Sequence, residues 1–239
     1  MPMLEATGVS KAFGGLKAVS NVDFYVDEGE ILGLIGPNGA GKTTLFNLIS
    51  GAYQMDSGVV MLNGMRISGM KPNRICRLGI GRSFQAAKNF AGMPVRQNVL
   101  MGALFGKKGR TNAHALKIAD EVLDFVGLGG MRDKMVPDIP LAHQKKLEVA
   151  RALATSPKLL MLDEMMAGLN PSEVGEAMEL VTKIRKSGIT IIMIEHVMKA
   201  IMSICDRIVV LHHGAKIAEG TPQEISTSKT VIEVYLGEC

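Results

Sequence analysis

Residues 36–43 read GPNGAGKT, which fits the spacing G-x-x-x-x-G-K-[ST]. Glycines at these positions let a backbone wrap closely round an anion, with successive N–H groups turned inward. A helix starting straight after the loop adds positive potential at its N-terminus. In such a loop Lys42 reaches the β- and γ-phosphates of a nucleotide, and the Thr43 hydroxyl ligates Mg2+. Thr44 is placed to donate to the α-phosphate. The competing reading, a glycine-rich turn with a chance lysine, is disfavoured by context. The apolar run ILGLI precedes the motif and a helical pattern follows it.

The second stretch is KLLMLDE at 158–164. Four apolar residues make a buried strand, and Asp163 leaves it at the carboxyl end, where open α/β sheets bind ligands. Asp163 is suited to hold Mg2+ through water. Glu164 follows directly, placed to take a proton from an attacking water. Taken alone, the pair could be an acidic strand cap. With the glycine loop upstream it completes a P-loop NTPase site, a description that fits kinases, GTPases and helicases equally.

The elements that must position these residues follow from periodicity. The first ~30 residues alternate polar and apolar, as short antiparallel strands do. ILGLIG is a buried strand, the P-loop leads into a helix that ends at Gly51, and GVVMLNG and LGIGRSFQ are further strands. Between 86 and 157 the period becomes helical. In NAHALKIADEVLDFVG, Ala115, Ile118, Ala119, Val122 and Leu123 share one face. Strands return in KLLMLDE, ITIIMIEH, DRIVVLHHG and AKIAEG, with helices expected over 171–186 and 197–204 and two helical turns in the tail. Pro171 suits a first helical turn and Gly188 a stop. The expected class is α/β with a parallel core.

Bulk properties narrow the field. A chain of 239 residues with 47% hydrophobic content has a real core and is not disordered. The net charge of +4 is spread along the chain, and aromatics are only 4% with no tryptophan, so nucleic-acid binding is not expected. Cys76, Cys205 and Cys239 lie far apart with no CxxC pair, which fits reduced thiols in a cytosolic protein. The start carries no secretory signal pattern. No apolar run approaches the roughly 20 residues that span a bilayer, so any membrane association is expected to run through an embedded partner.

In order along the chain, VSKAFGGLKAVSNVDF, GPNGAGKTTLFNLISG, GIGRSFQ, IPLAHQ, KLLMLDE, AGLNP and IIMIEHVMKAIMSICDRIVVLHHGAKIAEGTPQEI resemble the ATP-binding subunit of an ABC transporter over essentially the whole length. Within that family GIGRSFQ, LEVARALATSPKLLMLDE, AGLNPSE, IEHVMKAIM and VIEVYLG are most similar to the LivG-type ATPases of branched-chain amino-acid importers. The resemblance implies one ABC-type domain, with a RecA-like core plus an antiparallel β subdomain from 1–85 and 158–239 and a helical subdomain over 86–157. It implies ATP and Mg2+ as ligands, with Pro37, Asn38, Gly39, Ala40 and Gly41 lining the phosphates beside Gly36. By the same resemblance Phe13 stacks on adenine, though a packed strand phenylalanine is the plainer reading. Gln85 touches Mg2+ or the attacking water, and His196 contacts the γ-phosphate. Ala167, Gly168, Leu169 and Asn170 form the D-loop that crosses to a second subunit. The implied partners are a second ABC ATPase, two membrane permeases and, indirectly, an extracytoplasmic binding protein. The implied place is peripheral, on the cytoplasmic face of the plasma (inner) membrane. The rivals are a soluble ABC-type ATPase outside transport, as in Fe–S assembly, and a binding-only regulatory NTPase.

Two departures from the family pattern stand out. Where the signature LSGGQ is usual, this chain has Ile139, Pro140, Leu141, Ala142 and His143. Pro140 supplies neither hydroxyl nor N–H, and Ala142 adds a Cβ where close approach is needed. The implied loss is about 1–3 kcal/mol of phosphate binding. It falls on the partner's ATP, because a signature acts in trans. Two expectations stay open: an unequal heterodimer with one weakened site, or two working sites served by backbone amides. Met165 also stands where the family usually has proline. Met93 and Met101 are equally suited to a docking surface or to core filling.

Overall fold

Alternating burial builds the first sheet. The structure, a computed structural model, describes residues 2–83 and 89–236. In β1 (Leu4–Phe13) the side chains of Leu4, Ala6 and Val9 turn inward, as do Val22, Phe24 and Val26 in β2 (Leu16–Val26). The two strands pair antiparallel from Leu4↔Val26 to Phe13↔Leu16. The opposite edge of β1 pairs with a later strand, giving the antiparallel expectation for the start of the chain its full form below.

The apolar run ILGLI becomes β3 (Ile31–Ile35), buried at every position. It enters the P-loop and then α1 (Lys42–Ile49), whose end is marked by Gly51 in the left-handed region, φ +72°. β4 (Ser57–Leu62) pairs antiparallel with β1, and the short β5 (Met65–Arg66) completes a sheet of order β2-β1-β4-β5. The chain then runs through α2 (Pro72–Leu78), which buries only Ile75 and has no apolar stripe for a periodicity to reveal. β6 (Ile80–Arg82) follows. The stretch LGIGRSFQ therefore yields a three-residue strand within the described residues.

The helical interval contains α3 (Val95–Gly106), α4 (Asn112–Phe125) and α5 (Leu141–Ala154). Ala115, Ala119 and Leu123 of α4 are fully buried, and Ile118 and Val122 flank them at intermediate exposure. Thr111 caps α4 by accepting the His114 N–H. Fully buried Asn98 on α3 accepts the Phe90 N–H at 2.8 Å and donates to the carbonyls of Phe90, Met93 and Pro94. The turn entering α3 is thus held by one amide side chain. Met93 and Met101 are both partly exposed.

β7 (Leu159–Asp163) pairs parallel with β6, and α6 (Pro171–Lys186) follows. The bounds of α6 have a local cause. The Asn170 side chain accepts the N–H groups of Ser172 and Glu173, the Glu173 carboxylate accepts the Asn170 N–H, and Pro171 sits in the first turn. β8 (Thr190–Ile194), α7 (Met198–Ile204) and β9 (Arg207–His212) continue the α/β alternation. β8 and β9 flank β3 in parallel, while β10 (Ala215–Gly220) turns back antiparallel on β9. The chain ends in α8 (Pro222–Thr227) and α9 (Lys229–Leu236), the two turns expected of the tail.

The chain forms two compact units, 1–75 with 190–239, and 76–189. The first contains β1–β5, α1, β8–β10 and α7–α9. The second contains β6, β7 and α3–α6. Their limits differ from the subdomain limits at 85/86 and 157/158 that the resemblance implies. Among the described residues no helix is long and apolar enough to cross a membrane.

Cys205 lies under β3, and a β-carbon on Gly33 would stand 3.0 Å from its sulfur. Burial first, then the charges of Asp206, Glu195 and Glu30, push its thiol up to about 12. Burial also raises the half-buried Cys76. At pH 8 a pKa near 12 leaves on the order of one thiol in ten thousand ionised. Iodoacetamide should therefore leave Cys205 unmodified in the native protein and label it readily in denaturant. Peptide-resolved mass spectrometry checks this; equal native and denatured rates would contradict it.

Candidate functional site

The phosphate loop is shaped by what its glycines omit. Gly36 has φ +150°, and a β-carbon there would lie 2.1 Å from the Leu211 carbonyl oxygen at the end of β9. Gly41 has φ +100°, and its β-carbon would lie 2.3 Å from the Ala18 carbonyl oxygen in β2. At Gly39, φ +81°, the space within 4 Å is open. The loop is thus wedged at both ends and clear in the middle, the form of a cradle for a ligand. The β9–β10 turn locks it further: Gly214 donates to the Ala40 carbonyl at 3.1 Å and accepts from the Ser20 N–H at 2.8 Å.

Gly41 caps α1 without any side chain, and the first intrahelical bond is Leu45 N–H to the Gly41 carbonyl at 2.8 Å. The Lys42, Thr43 and Thr44 amides therefore lie in the turn whose N–H groups have no partner within the helix. Lys42 is 6% exposed, and its ammonium donates to the carbonyls of Gly36 at 2.6 Å and Pro37 at 2.9 Å. Its charge is turned into the loop. Pro37 also accepts the Ala40 N–H at 3.2 Å, closing the turn across Asn38 and Gly39, which are exposed. Thr43 and Thr44 are partly exposed beyond it.

His196 emerges beside this loop. β3 and β8 pair in parallel with Leu34 opposite Ile194, so Gly36 and His196 each leave the sheet two residues past that pair. Glu195 is buried and His196 exposed at the carboxyl edge. Phe13 sits at the end of β1, 45% exposed, which removes the packed-strand reading of this ring. The Tyr53 ring meets it in a T-shaped pair, 5.4 Å between centroids, and the Lys11 ammonium lies 5.5 Å from its centroid. Its strand partner β2 carries Ala18 and Ser20, the contacts to Gly41 and Gly214. The aromatic therefore rides on a hairpin fastened to the loop. Tyr53 was not evident in the sequence, since a tyrosine in an irregular segment carries no pattern.

The second unit holds the carboxylates. Asp163 is buried, its N–H donates to the Ser83 hydroxyl at 3.0 Å, and its carboxylate accepts from Arg82 at 3.1 Å. This ion pair is almost wholly out of water, where desolvation weighs heavily against its attraction. Sequence reasoning passed over Arg82 as the partner of Asp163, although a charge closing an apolar strand was its signal. Gln85 falls among residues 84–88, outside the described residues.

Glu164 is partly exposed and takes φ +52°, a left-handed backbone that costs a non-glycine residue about 1–2 kcal/mol. Met165 and Met166 are buried, and the turn closes through Ala167 N–H to the Glu164 carbonyl at 3.3 Å. Met165 therefore fills core volume, and the turn is closed without proline. In the D-loop, Ala167 and Gly168 are exposed, Leu169 partly so, and Asn170 serves as the cap of α6. α5 starts at Leu141 with Pro140 as its N-cap and no side-chain cap bond. Pro140 gives its carbonyl to the His143 and Gln144 N–H groups, both at 3.0 Å. Among the described residues the amides of Leu141 and Ala142 make no hydrogen bond, and Ile139 is buried.

Among the described residues no group of three or more His, Cys, Asp or Glu side chains could cage a metal. Mg2+ in nucleotide sites is held by one or two protein oxygens together with phosphates. The oxygens of Thr43 and Asp163 are donors of that hard type.

Comparison with known proteins agrees with the geometry. Residues 19–167 match the ABC transporter family, and residues 215–238 match the family described as branched-chain amino acid ATP-binding cassette transporter. The chain is 39% identical to the high-affinity branched-chain amino acid transport ATP-binding protein BraF of Pseudomonas aeruginosa, over 99% of this chain and 98% of that one. It is 40% identical to the corresponding protein LivG of Salmonella typhimurium, over 99% and 98%. A solved structure, the ADP conformation of an ATP-binding cassette of an ABC transporter, superposes with a TM-score of 0.89 at 29% identity, covering all of both chains. A cassette of this kind binds nucleotide and works as a dimer within a transporter that supplies the membrane parts. With a family match over more than half its length and relatives that align with nearly all of it, this chain belongs to the ABC transporter family as one of its ATP-binding, ATP-hydrolysing proteins.

Proposed function

We propose that this chain is the motor subunit of an importer for branched-chain or similar hydrophobic amino acids, seated on the cytoplasmic face of the inner membrane. The observation that carries the motor reading is the complete phosphate cradle with His196 leaving the same sheet edge. The cargo reading rests on the relatives' transport of branched-chain amino acids and on the tail match at 215–238. Its partners are a second ABC ATPase, two permeases and, through them, an extracytoplasmic binding protein. Within the second unit, 86–157 acts as the helical subdomain. Partly exposed Met93 and Met101, near exposed Phe90 and Phe105, offer the permeases an adaptable surface.

In the reaction, Phe13 stacks on adenine and the loop amides with Lys42 hold the phosphates. Thr43 and Asp163 would hold Mg2+, which would supply neutralisation of the phosphate charge. Gln85 reports occupancy toward the helical subdomain. Glu164 accepts the proton of the attacking water, and His196 orients that water and steadies the γ-phosphate. Ala167 to Asn170 reach toward the partner ATPase. Closing two cassettes on two ATP molecules then biases the permeases between two states, because ATP binds the closed arrangement more tightly.

The partner is a different ATPase. Pro140 and Ala142 weaken the element this chain lends to its partner's ATP, while its own loop, Glu164 and His196 are intact. The second reading, a symmetric pair, is favoured by one observation: the Leu141 and Ala142 amides at the start of α5 are not engaged elsewhere among the described residues.

Mg·ATP hydrolysis by the purified chain, measured across protein concentrations with Glu164→Gln as control, tests the motor reading. Tight ATP binding without turnover at any concentration is expected if a different ATPase must bring the signature. Turnover that rises with concentration and vanishes in the control would establish the symmetric pair. Turnover that survives Glu164→Gln would remove Glu164 from its role. In the assembled transporter, Pro140→Ser with Ala142→Gly should tighten ATP binding about tenfold, equivalent to ~1.4 kcal/mol, and raise turnover. Unchanged turnover would end the unequal-site reading.

A further inference from the structure

We propose that Lys145 is a positioning residue for hydrolysis, holding the Glu164 main chain so that the Glu164 carboxylate faces the attacking water. The inference rests on the role assigned to Glu164 above. Lys145 lies on the buried side of α5 with Ala142, Glu148, Val149 and Ala152, and is itself 6% exposed. A lysine there takes an ammonium out of water, which is costly unless the charge is hydrogen-bonded or paired. Its Nζ donates to the Glu164 carbonyl at 3.1 Å, the one acceptor recorded for it among the described residues.

That carbonyl also receives the Ala167 N–H at 3.3 Å, so two donors fix one oxygen. Fixing the oxygen fixes the peptide plane after Glu164. Together with φ +52° this sets the direction of the Cα–Cβ bond and of the carboxylate beyond it. Strained backbone of this kind persists only where the surroundings over-determine it. Met165, where the family usually has proline, places no pre-proline restriction on the Glu164 backbone. α5 touches the same loop at a second point, for Leu141 Cδ2 lies 3.3 Å from where a β-carbon on Gly168 would stand. The helix that begins at Leu141 thus meets the loop 164–168 at both ends of its first turn.

The test uses whichever assembly turns over with the wild-type chain. Lys145→Met keeps the length and removes the donor, and Lys145→Arg keeps a donor. The Met variant should lose kcat about tenfold or more, the size of a misplaced catalytic group. Its KM for ATP and its melting temperature should stay near wild type, and the Arg variant should recover most of the rate. Should the Met variant not fold, Lys145→Gln, a neutral donor on a shorter arm, is expected to lower kcat at constant KM. The proposal is overturned if the neutral variant that folds keeps its kcat, if kcat, KM and melting temperature fall together, or if Lys145→Arg is as slow as the neutral variant. Glu164→Gln is measured alongside. If it retains turnover, the assignment of Glu164 fails; if it abolishes turnover while Lys145→Met does not slow it, only the role of Lys145 fails.

Discussion

Two missing methyl groups hold the first unit together. A side chain at Gly36 would strike the Leu211 carbonyl, and one at Gly41 the Ala18 carbonyl. The P-loop can therefore lie against the end of β9 on one side and against β2 on the other. That double contact fixes more than the loop. The Leu211 side brings the β9–β10 turn close enough for Gly214 to bond Ala40 and Ser20. The Ala18 side seats the β1–β2 hairpin, which ends at Phe13. The phosphate cradle and the position of the exposed aromatic are thus consequences of one close packing, beside the sheet edge that carries His196. Because the contacts are to carbonyl oxygens of a strand and a hairpin, the neighbours cannot yield as a flexible side chain would. A β-carbon at either glycine would displace backbone.

The second unit depends on charge placed where water does not reach. Asp163 is held by Arg82 and Ser83 at the end of β7, and Lys145 is turned from α5 onto the next residue's carbonyl. Such groups stabilise little in net terms, because desolvation offsets their attraction. Their effect is to make one arrangement far better than its neighbours. Asp163 and Glu164 are adjacent yet treated differently: the first is fixed by its carboxylate, the second by its main chain. In the proposed reaction the Glu164 carboxylate takes the proton, and its direction is set from behind.

What could be read in the sequence was whatever a local rule determines. The P-loop spacing, the buried run of β3 and the caps of α6 are each written in a few consecutive residues. The expected span 171–186 matches α6 because Asn170, Pro171 and Glu173 define its start locally. α2 was missed because a helix burying Ile75 alone has no period. The reversal of β10 against β9 was not specified, because an alternating strand looks the same in either direction. Arg82, Tyr53 and Lys145 escaped notice for a shared reason: each matters through a contact distant in sequence. Lys145 still left a trace: with Glu148 it is one of two charges on the buried side of a helix that is otherwise apolar there. The limits of the compact units, at 75/76 and 189/190, depend on which strands pair, and composition does not register that.

The unusual signature can be understood in the same terms. Proline is well tolerated just before a helix, where its fixed φ fits and no N–H is required. Pro140 takes φ −56° and ψ 156°, and α5 begins without distortion. The substitution therefore removes a hydroxyl and an amide from the ligand face but leaves the helix, its dipole and the amides of Leu141 and Ala142 in place. Selection against such a change acts only if that face must bind phosphate strongly. In the unequal pair proposed above, a chain that keeps its P-loop and its strained Glu164 while relaxing the signature it lends to another subunit divides its two roles. The costly features, buried charge and left-handed backbone, are retained on the side that serves its own nucleotide.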